Sequence, residues 1–229
     1  MPVITVARQL GSHGDRIAAK AAESLGLDFV DRRLVDEIAA ISDASPEEVE
    51  KYDEKGEGRV RYFLKRLLVP EVTPGGFPLS SAAYFPEFGV EFPYVIERDT
   101  AQSAAYLDRG TYQLLITTLV QEFGDSGKAV IVGRASQVIL ANYPKAFHIK
   151  VIAPFDFRCE RVMEGQDVDG DTAKQLIQQH DRWRQLYLKN HFDADWDDLL
   201  LYHLTINTGK MGVDEAAAMV VHHIKARGE

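Results

Sequence analysis

This 229-residue chain has a single cysteine, and it lacks both long apolar runs and an excess of basic residues. Its one cysteine, Cys159, cannot form a disulfide within the chain, so nothing in the sequence indicates an oxidising compartment. No apolar run approaches the roughly 20 residues that a membrane-spanning helix needs. The apolar N-terminal stretch reaches Arg8 too early for a signal peptide. We therefore expect a cytoplasmic protein that has no membrane contact.

The deficit of positive charge limits the partners that the chain can bind. Lysine and arginine number 26 against 35 aspartate and glutamate residues, which gives a net charge of −9. A general nucleic-acid binder needs a surplus of basic side chains for its phosphate contacts, so we predict no nucleic acid as a partner. Any anion site must then be a local cluster. The length and the 45% hydrophobic content suffice for one large α/β domain with an insertion.

The N-terminal segment has the pattern of a buried strand, a turn and a helix. Residues 3–7 are almost continuously apolar and β-branched, which is typical of a parallel strand covered on both faces. The turn at residues 8–14 contains Gly11 and Gly14, and Gly26 marks the end of the following helix. Such a turn directs backbone N–H groups and the positive end of a helix dipole at one point, which suits a phosphate.

The turn nevertheless departs from the phosphate-binding pattern G-x-x-x-x-G-K-[ST]. Aligned without gaps, Arg8 and His13 take the two glycine positions, and Gly14 takes the lysine position. Asp15 takes the position of the hydroxyl that contacts Mg²⁺. On the residues alone, a phosphate loop and an ordinary strand-to-helix connection remain equal alternatives.

Strands that alternate with helices predict a parallel sheet with right-handed crossovers. We predict five strands, with residues 3–7 in the centre of the sheet. The other strands are expected at residues 27–30, 129–132, 146–153 and 204–207. Asp31 follows the second strand. It is either a helix N-cap or a ligand-binding residue at the carboxyl edge of the sheet, and the two roles are compatible.

The composition changes between the second and third predicted strands. Residues 70–93 hold five of the nine prolines together with several aromatic residues, which is unfavourable for both regular helix and disorder. We predict an ordered excursion that serves as a substrate cover or as a dimerisation arm. A homodimer is expected because so much exposed apolar surface is unusual on a monomer. A long helix at residues 99–123 follows, which Gly124 and Gly127 are expected to end.

Two predicted helices in the C-terminal half carry clustered charges. The first spans residues 155–163 and the second residues 172–191, with a polar, glycine-containing turn between them. The charged residues are Arg158, Arg161, Asp181, Arg182 and Arg184. Guanidinium groups suit a transition state whose negative charge spreads over phosphate oxygens. An amphipathic hairpin with solvated charges is the alternative interpretation of the same residues.

Taken in chain order, these features resemble the P-loop nucleoside monophosphate kinases, and most closely the cytidylate kinase-like family of bacteria and archaea. The resemblance rests on residues 4–14, Leu25-Gly26-Leu27 with Asp31, residues 130–134, Ala153-Pro154 with Arg158 and Arg161, Asp181 with Arg184 and Tyr187, and Ile206-Asn207-Thr208. It covers nearly the whole chain apart from residues 70–93. The family's loop has the form I-[ST]-R-x-x-G-S-G-G, in which His13 here replaces a glycine and Asp15 adds a carboxylate.

The resemblance implies a three-layer α/β/α sandwich with a five-stranded parallel sheet, a monophosphate-binding region and an arginine-bearing lid. The core would comprise residues 1–31, 125–164 and 192–229, the monophosphate-binding region residues 32–124, and the lid residues 165–191. The implied activity is phosphoryl transfer from ATP, with Mg²⁺, to a nucleoside monophosphate of the (d)CMP type.

The resemblance also assigns roles to individual residues. Those implied to bind the ATP phosphates are Arg8, Gly11, Ser12, His13, Gly14, Asp15 and Arg16. Those implied to bind the monophosphate substrate are Asp31 and Arg134. Those implied to act on the transferred phosphoryl group are Arg158, Arg161, Arg184 and Asp181. None is implied as a dedicated metal ligand.

Two other functions stay open at the level of the sequence. A loop without its lysine suits a nucleotide-binding or regulatory protein that has kept the kinase fold. A small-molecule kinase of the same fold, with a different acceptor, is the second alternative. The residues that would read the base lie in the region 32–110, so the sequence does not identify the acceptor.

Overall fold

The computed structural model of the protein describes residues 2–31 and 109–227. These residues are built around a parallel β-sheet. The strands are β1 (Val3–Arg8), β2 (Asp28–Val30), β3 (Ala129–Val132), β4 (Ala146–Ile152) and β5 (Leu204–Asn207). Their order across the sheet is β2-β3-β1-β4-β5, and every neighbouring pair is parallel. The prediction of a five-stranded parallel sheet with the first strand in its centre is confirmed.

The burial of β1 explains why its sequence is continuously apolar. Val3, Ile4 and Thr5 are all 0% exposed. β1 pairs with β3 on one side and with β4 on the other, so no edge of it is left open. A strand covered on both faces has no solvent side on which polar residues would alternate. The observed strand ends differ from the predicted ones by one residue at β1, β2 and β4, which is ordinary for element boundaries.

Helices cover both faces of the sheet. They are α1 (Gly14–Leu25), α2 (Arg109–Ser126), α3 (Ser136–Ile139), α4 (Phe155–Gln166), α5 (Gly170–Phe192) and α6 (Val213–Arg227), and a 3₁₀ turn spans Leu199–Leu201. On one face, the small and aliphatic residues of α1 and α6 pack against alternate residues of β1, β3 and β4. On the other face, Lys150 of β4 contacts Trp196, which packs with residues of α3 and α5.

α2 continues past the point where the sequence indicates its end. The prediction that Gly124 ends this helix is wrong, because the helix runs through Gly124 to Ser126. A Cβ atom on Gly124 would lie 2.6 Å from Leu140 Cδ2 and 3.0 Å from Tyr143 Cε1. This glycine therefore permits close packing and does not terminate the helix. Gly127, with a φ of +62°, follows the last turn as predicted.

Several predictions fall on parts of the chain that lie outside the described residues. They concern the start of the helix at residue 99, the region 32–108 as a whole, and the proline-rich and aromatic residues 70–93. Across the two described ranges, no helix is both long enough and apolar enough to cross a bilayer.

A buried histidine makes the stability of the sheet depend on pH. His148 of β4 is 4% exposed, and its Nδ1 lies 2.8 Å from Thr5 Oγ1. Burial, followed by the nearby His203, lowers the pKa of His148 from 6.5 to about 4. The unfolded chain therefore binds this proton more readily than the folded protein between these two values. Stability must fall as the pH drops through this window.

We expect protonation of His148 in the unfolded chain to lower the free energy of unfolding by about 3 kcal/mol as the pH falls from 7 to 4. The His148→Asn variant should be less stable at neutral pH but should lose most of this pH dependence. Urea denaturation at several pH values measures both effects. The exposed His222 provides the control, because His222→Asn should leave the pH dependence unchanged. An unaltered slope in His148→Asn would contradict the assignment.

Candidate active site

The loop between β1 and α1 is closed by its own hydrogen bonds. Gln9 N donates to Val151 O of β4 at 3.0 Å, which fixes the start of the loop to the sheet edge. Ser12 is 0% exposed, and both its N–H and its hydroxyl donate to Gln9 O, at 3.2 and 2.8 Å. Ala153 N donates to Gln9 Oε1 at 3.0 Å. The loop is therefore a rigid connection held at the carboxyl ends of the two central strands.

Two residues of the loop adopt the left-handed backbone conformation. Gly11 has a φ of +77°, and a Cβ atom there would lie 2.8 Å from Arg158 O of α4. Glycine is thus required both by the backbone angle and by the close approach of α4. His13 has a φ of +58° and precedes the first residue of α1. Histidine tolerates this region better than most residues, which explains how it can stand at a position where the family has glycine.

Two distant side chains hold the loop carbonyls. Thr208 Oγ1 donates to Ser12 O at 2.9 Å, and Arg161 Nη1 donates to Gly11 O at 3.3 Å. Because a trans peptide places C=O and N–H on opposite sides, the fixed Ser12 carbonyl turns the His13 N–H the other way. Helix geometry leaves the Gly14 and Asp15 N–H groups without an acceptor inside α1. The result is a set of oriented donors at a helix N-terminus, which suits an anion.

Removing the Thr208 hydroxyl is expected to loosen this loop. Thr208 is 3% exposed, so Thr208→Val leaves the Ser12 carbonyl buried without this donor. We expect a loss of about 1–3 kcal/mol in the free energy of unfolding and weaker ATP binding. Urea denaturation and titration calorimetry measure the two effects. The same substitution at the exposed Thr205 is the matched control, and equal effects at both positions would contradict the anchoring role.

Arg8 and Asp15 form an ion pair at the mouth of the loop. Arg8 Nε lies 2.9 Å from Asp15 Oδ1, with the two side chains 21% and 59% exposed. The carboxylate that departs from the standard loop is thus partly neutralised by an arginine on β1. Gly133, which follows β3 with a φ of +76°, faces Arg8, since a Cβ atom there would lie 2.7 Å from Arg8 Nη1.

A second charged group lies between α4 and α5. Arg158 Nη1 donates to Asp181 Oδ2 at 2.8 Å, and Arg184 Nη1 donates to Asp181 Oδ1 at 3.4 Å. The side chain of Arg158 is 6% exposed. Burial, followed by the positive charge of Arg8, lowers the pKa of Arg184 to about 10, so this guanidinium stays charged at neutral pH. Arg8 and Asp15 are both among the charges that shift the pKa of Arg184.

The remaining cations near the loop have different environments. Arg161 stacks on the Phe157 ring at 3.7 Å and also donates to Thr208 Oγ1 at 3.2 Å, so it lies behind the loop. Burial, and then the charges of Arg161 and Arg16, lower the pKa of His13, which favours the neutral imidazole. Arg16 and Arg182 are exposed on their helices.

The two residues predicted to contact the monophosphate follow β2, at the edge of the sheet, and its neighbour β3. Asp31 comes directly after β2, and Arg134 follows β3. Because all strands are parallel, both residues lie at the same edge of the sheet as the loop. Arg134 has a φ of +57° and Ala135 a φ of +53°, so the turn after β3 is locally strained. Their contact with a substrate stays a prediction.

Thr208 and Lys150 are functional candidates that the sequence reasoning missed. Thr208 appeared only as part of a motif, and its bond to a carbonyl 196 residues away has no signal in the sequence. Lys150 interrupts the apolar β4 strand, and that interruption was a usable signal. Its side chain is 4% exposed and donates to Asp197 Oδ1 at 2.8 Å and to Trp196 O at 2.9 Å. It fixes the segment that follows α5 to the sheet.

A parallel sheet of this strand order, with a glycine-bearing loop from its central strand into a helix and arginines on a helix pair, defines a P-loop kinase fold. Residues 3–210 match the Cytidylate kinase-like family, and the chain therefore belongs to that family. This confirms the resemblance inferred from the sequence. No group of three or more acidic, histidine or cysteine side chains suited to a metal ion occurs in the described ranges.

Curated relatives match part of the chain. A cytidylate kinase of Methanocaldococcus jannaschii is 33% identical over 96 residues, which are 41% of this chain and 53% of that protein. A cytidylate kinase of Methanopyrus kandleri is 24% identical over 123 residues, which are 49% of this chain and 63% of that protein. The matches thus span between about half and two thirds of these relatives' lengths.

A solved structure shares the fold of this protein. The crystal structure of an uncharacterized protein from Eubacterium ventriosum ATCC 27560 has a TM-score of 0.64 and 20% sequence identity. The alignment covers 98% of this chain and 99% of that one. At this identity the likeness shows the common fold and leaves the activity to be argued from the site.

Proposed function

We propose that this protein transfers a phosphoryl group from ATP to a nucleoside monophosphate of the (d)CMP type. The observation that carries the proposal is the grouping of Arg8, Arg158 and Arg184 with two carboxylates beside a rigid anion-binding loop. Arg158 Nε is buried without a hydrogen-bond partner in the described part of the chain, so this guanidinium keeps one unused donor. Membership of the kinase family supports the same reaction class.

In the proposed mechanism, positioning and electrostatics do most of the work. The N–H groups of residues 13–15 bind the ATP phosphates, and Arg158 and Arg184 stabilise charge on the transferred phosphoryl group. Bound Mg²⁺ supplies further positive charge at the phosphate oxygens. Asp15 fits as the residue that would hold it, because Mg²⁺ needs only one or two carboxylates in addition to phosphate. Asp31 and Arg134 bind the monophosphate.

A coupled assay of ADP release tests the proposal. CMP, dCMP, UMP, AMP and shikimate are offered as acceptors with ATP and Mg²⁺. Faster turnover with CMP or dCMP supports the proposed substrate class, whereas preference for shikimate selects a small-molecule kinase. ATP binding without turnover on any acceptor selects a regulatory protein. The absent loop lysine and the Asp15 carboxylate are the observations that favour this last candidate.

We also propose a cytoplasmic homodimer, on the composition of residues 70–93. This segment combines five prolines with clustered aromatic residues, which would be buried against a second copy of the chain. Deletion of residues 72–92 should then convert a dimer to a monomer in light scattering. A full-length protein that is already monomeric at micromolar concentration would contradict the proposal.

A further inference from the structure

The geometry around Gly14 explains why the phosphate loop has no lysine. A Cβ atom on Gly14 would lie 2.4 Å from Arg8 Cβ and 3.0 Å from Arg8 Cγ. Real Cβ atoms do not approach so closely, and the obstructing atoms belong to the stem of Arg8, which cannot swing away. A side chain at position 14 is therefore incompatible with a side chain at position 8.

The standard loop shows the opposite arrangement at the same two positions. In G-x-x-x-x-G-K-[ST], glycine stands where this chain has Arg8, and lysine stands where it has Gly14. A glycine at position 8 would remove the two closest of these contacts, and Val151 Cβ, at 3.2 Å, would remain the nearest atom to a side chain at position 14. Each loop thus has one glycine and one basic residue at these two positions, but in opposite order.

The guanidinium of Arg8 lies where a loop cation is needed. It starts from the last residue of β1 and pairs through Nε with Asp15 in the first turn of α1. Gly133 leaves room for its Nη1 in this position, since a Cβ atom there would lie 2.7 Å from that atom and would require the guanidinium to shift. The Asp15 pair orients the planar fork and so reduces the entropy lost when the fork binds phosphate oxygens.

The other basic groups beside the loop are less suitable for this role. Arg161 is committed to the Gly11 carbonyl and to Thr208 behind the loop. The lowered pKa of His13 favours its neutral form. Lys20, further along α1, pairs with Asp214 at 2.7 Å. Of these four residues, Arg8 therefore best fits the role of the missing lysine.

We propose that Arg8 and Gly14 together replace the glycine and lysine of the standard loop, with Arg8 binding the terminal phosphates of ATP. This inference rests on the proposed function, since it names the residue that holds the phosphate donor. It goes further because it predicts that a lysine can be introduced at position 14 only when position 8 is glycine.

The first test compares Arg8→Gln with Arg8→Lys, which differ mainly in charge. Titration calorimetry with ATP and with inorganic triphosphate measures affinity independently of turnover. We expect Arg8→Gln to weaken both ligands roughly 10-fold or more, as for the loss of a charged hydrogen bond, and Arg8→Lys to retain part of the affinity. Arg182→Gln, on the exposed face of α5, is the control and should bind normally. Wild-type affinity in Arg8→Gln would overturn the proposal.

The second test exchanges the two residues. Gly14→Ala should lower the thermal unfolding temperature. Arg8→Gly combined with Gly14→Ala should recover part of that loss, because the two closest contacts are removed while Val151 Cβ stays 3.2 Å away. Arg8→Gly combined with Gly14→Lys should bind ATP more tightly than Arg8→Gly alone. If the double variants are as unstable as Gly14→Ala, or if the added lysine restores no affinity, the proposal that positions 8 and 14 depend on each other is wrong.

The outcomes separate this proposal from the proposed function. A wild type that binds ATP but phosphorylates no acceptor contradicts the kinase activity, while the affinities of the Arg8 variants still decide the role of Arg8. If the wild type is an active kinase and the Arg8→Gln variant binds ATP normally, only the role of Arg8 is contradicted. A wild type that does not bind ATP overturns both.

Discussion

Arg184→Ala is expected to lower kcat on the order of 10³-fold, with a much smaller effect on ATP affinity, as for the loss of an arginine that acts in the transition state. Arg184 shares Asp181 with Arg158, but its 3.4 Å contact is the longer of the two. Its guanidinium is therefore the less firmly held and the more readily redirected towards the developing charge. It stays protonated at neutral pH, since its pKa is about 10.

The coupled assay and calorimetry separate the two effects of this substitution. Arg182→Ala is the matched control, because Arg182 is exposed two residues away on the same helix. It should keep both kcat and affinity. If Arg184→Ala turns over at the wild-type rate, the helix pair is a structural element with solvated charges, which is the alternative that the sequence left open.

Asp181→Ala is expected to reduce the free energy of unfolding by about 3 kcal/mol, in the range for removing one partner of a buried ion pair. The substitution leaves Arg158, whose side chain is 6% exposed, without a carboxylate, and it also removes the partner of Arg184. Two like charges would then face each other between α4 and α5. Urea denaturation at neutral pH measures the loss.

The control for this prediction is Asp171→Ala on the same helix. Asp171 pairs with Lys174 at 3.4 Å, but the side chains are 90% and 55% exposed, so the pair should contribute about 1 kcal/mol or less. An Asp181→Ala variant no less stable than Asp171→Ala would show that solvent screens the buried cluster after all.

The sheet could be predicted because strands that are buried on both faces have uninterrupted apolar sequences. The unbroken apolar run of β1 identified a central parallel strand, and the prolines and glycines between runs located the connections. Gly124 shows where this reasoning fails. A glycine inside a helix and a glycine that ends one look alike in sequence, and only the contact with Leu140 and Tyr143 distinguishes them.

The site was predicted less well than the sheet because its decisive contacts join distant parts of the chain. The sequence grouped Arg158 with Arg161 as charged residues of one predicted helix. The structure places Arg158 on Asp181, and it places Arg161 on the Gly11 carbonyl behind the loop. Residues three apart on a helix share a side but can reach different neighbours. The collision between positions 8 and 14 is likewise a matter of atomic distances.

The anchoring of Trp196 by Lys150 gives the protein a pair of optical reporters with different surroundings. The chain has two tryptophans, Trp183 and Trp196. Trp196 is 3% exposed, and Lys150 Nζ lies 4.1 Å from its ring centroid, so its fluorescence comes from a fixed, dry environment. Trp183 is half-buried on α5, next in sequence to Arg184, and contacts the His180 ring. With Trp196 replaced by phenylalanine, the emission wavelength of the remaining indole would follow the arginine-bearing helix alone.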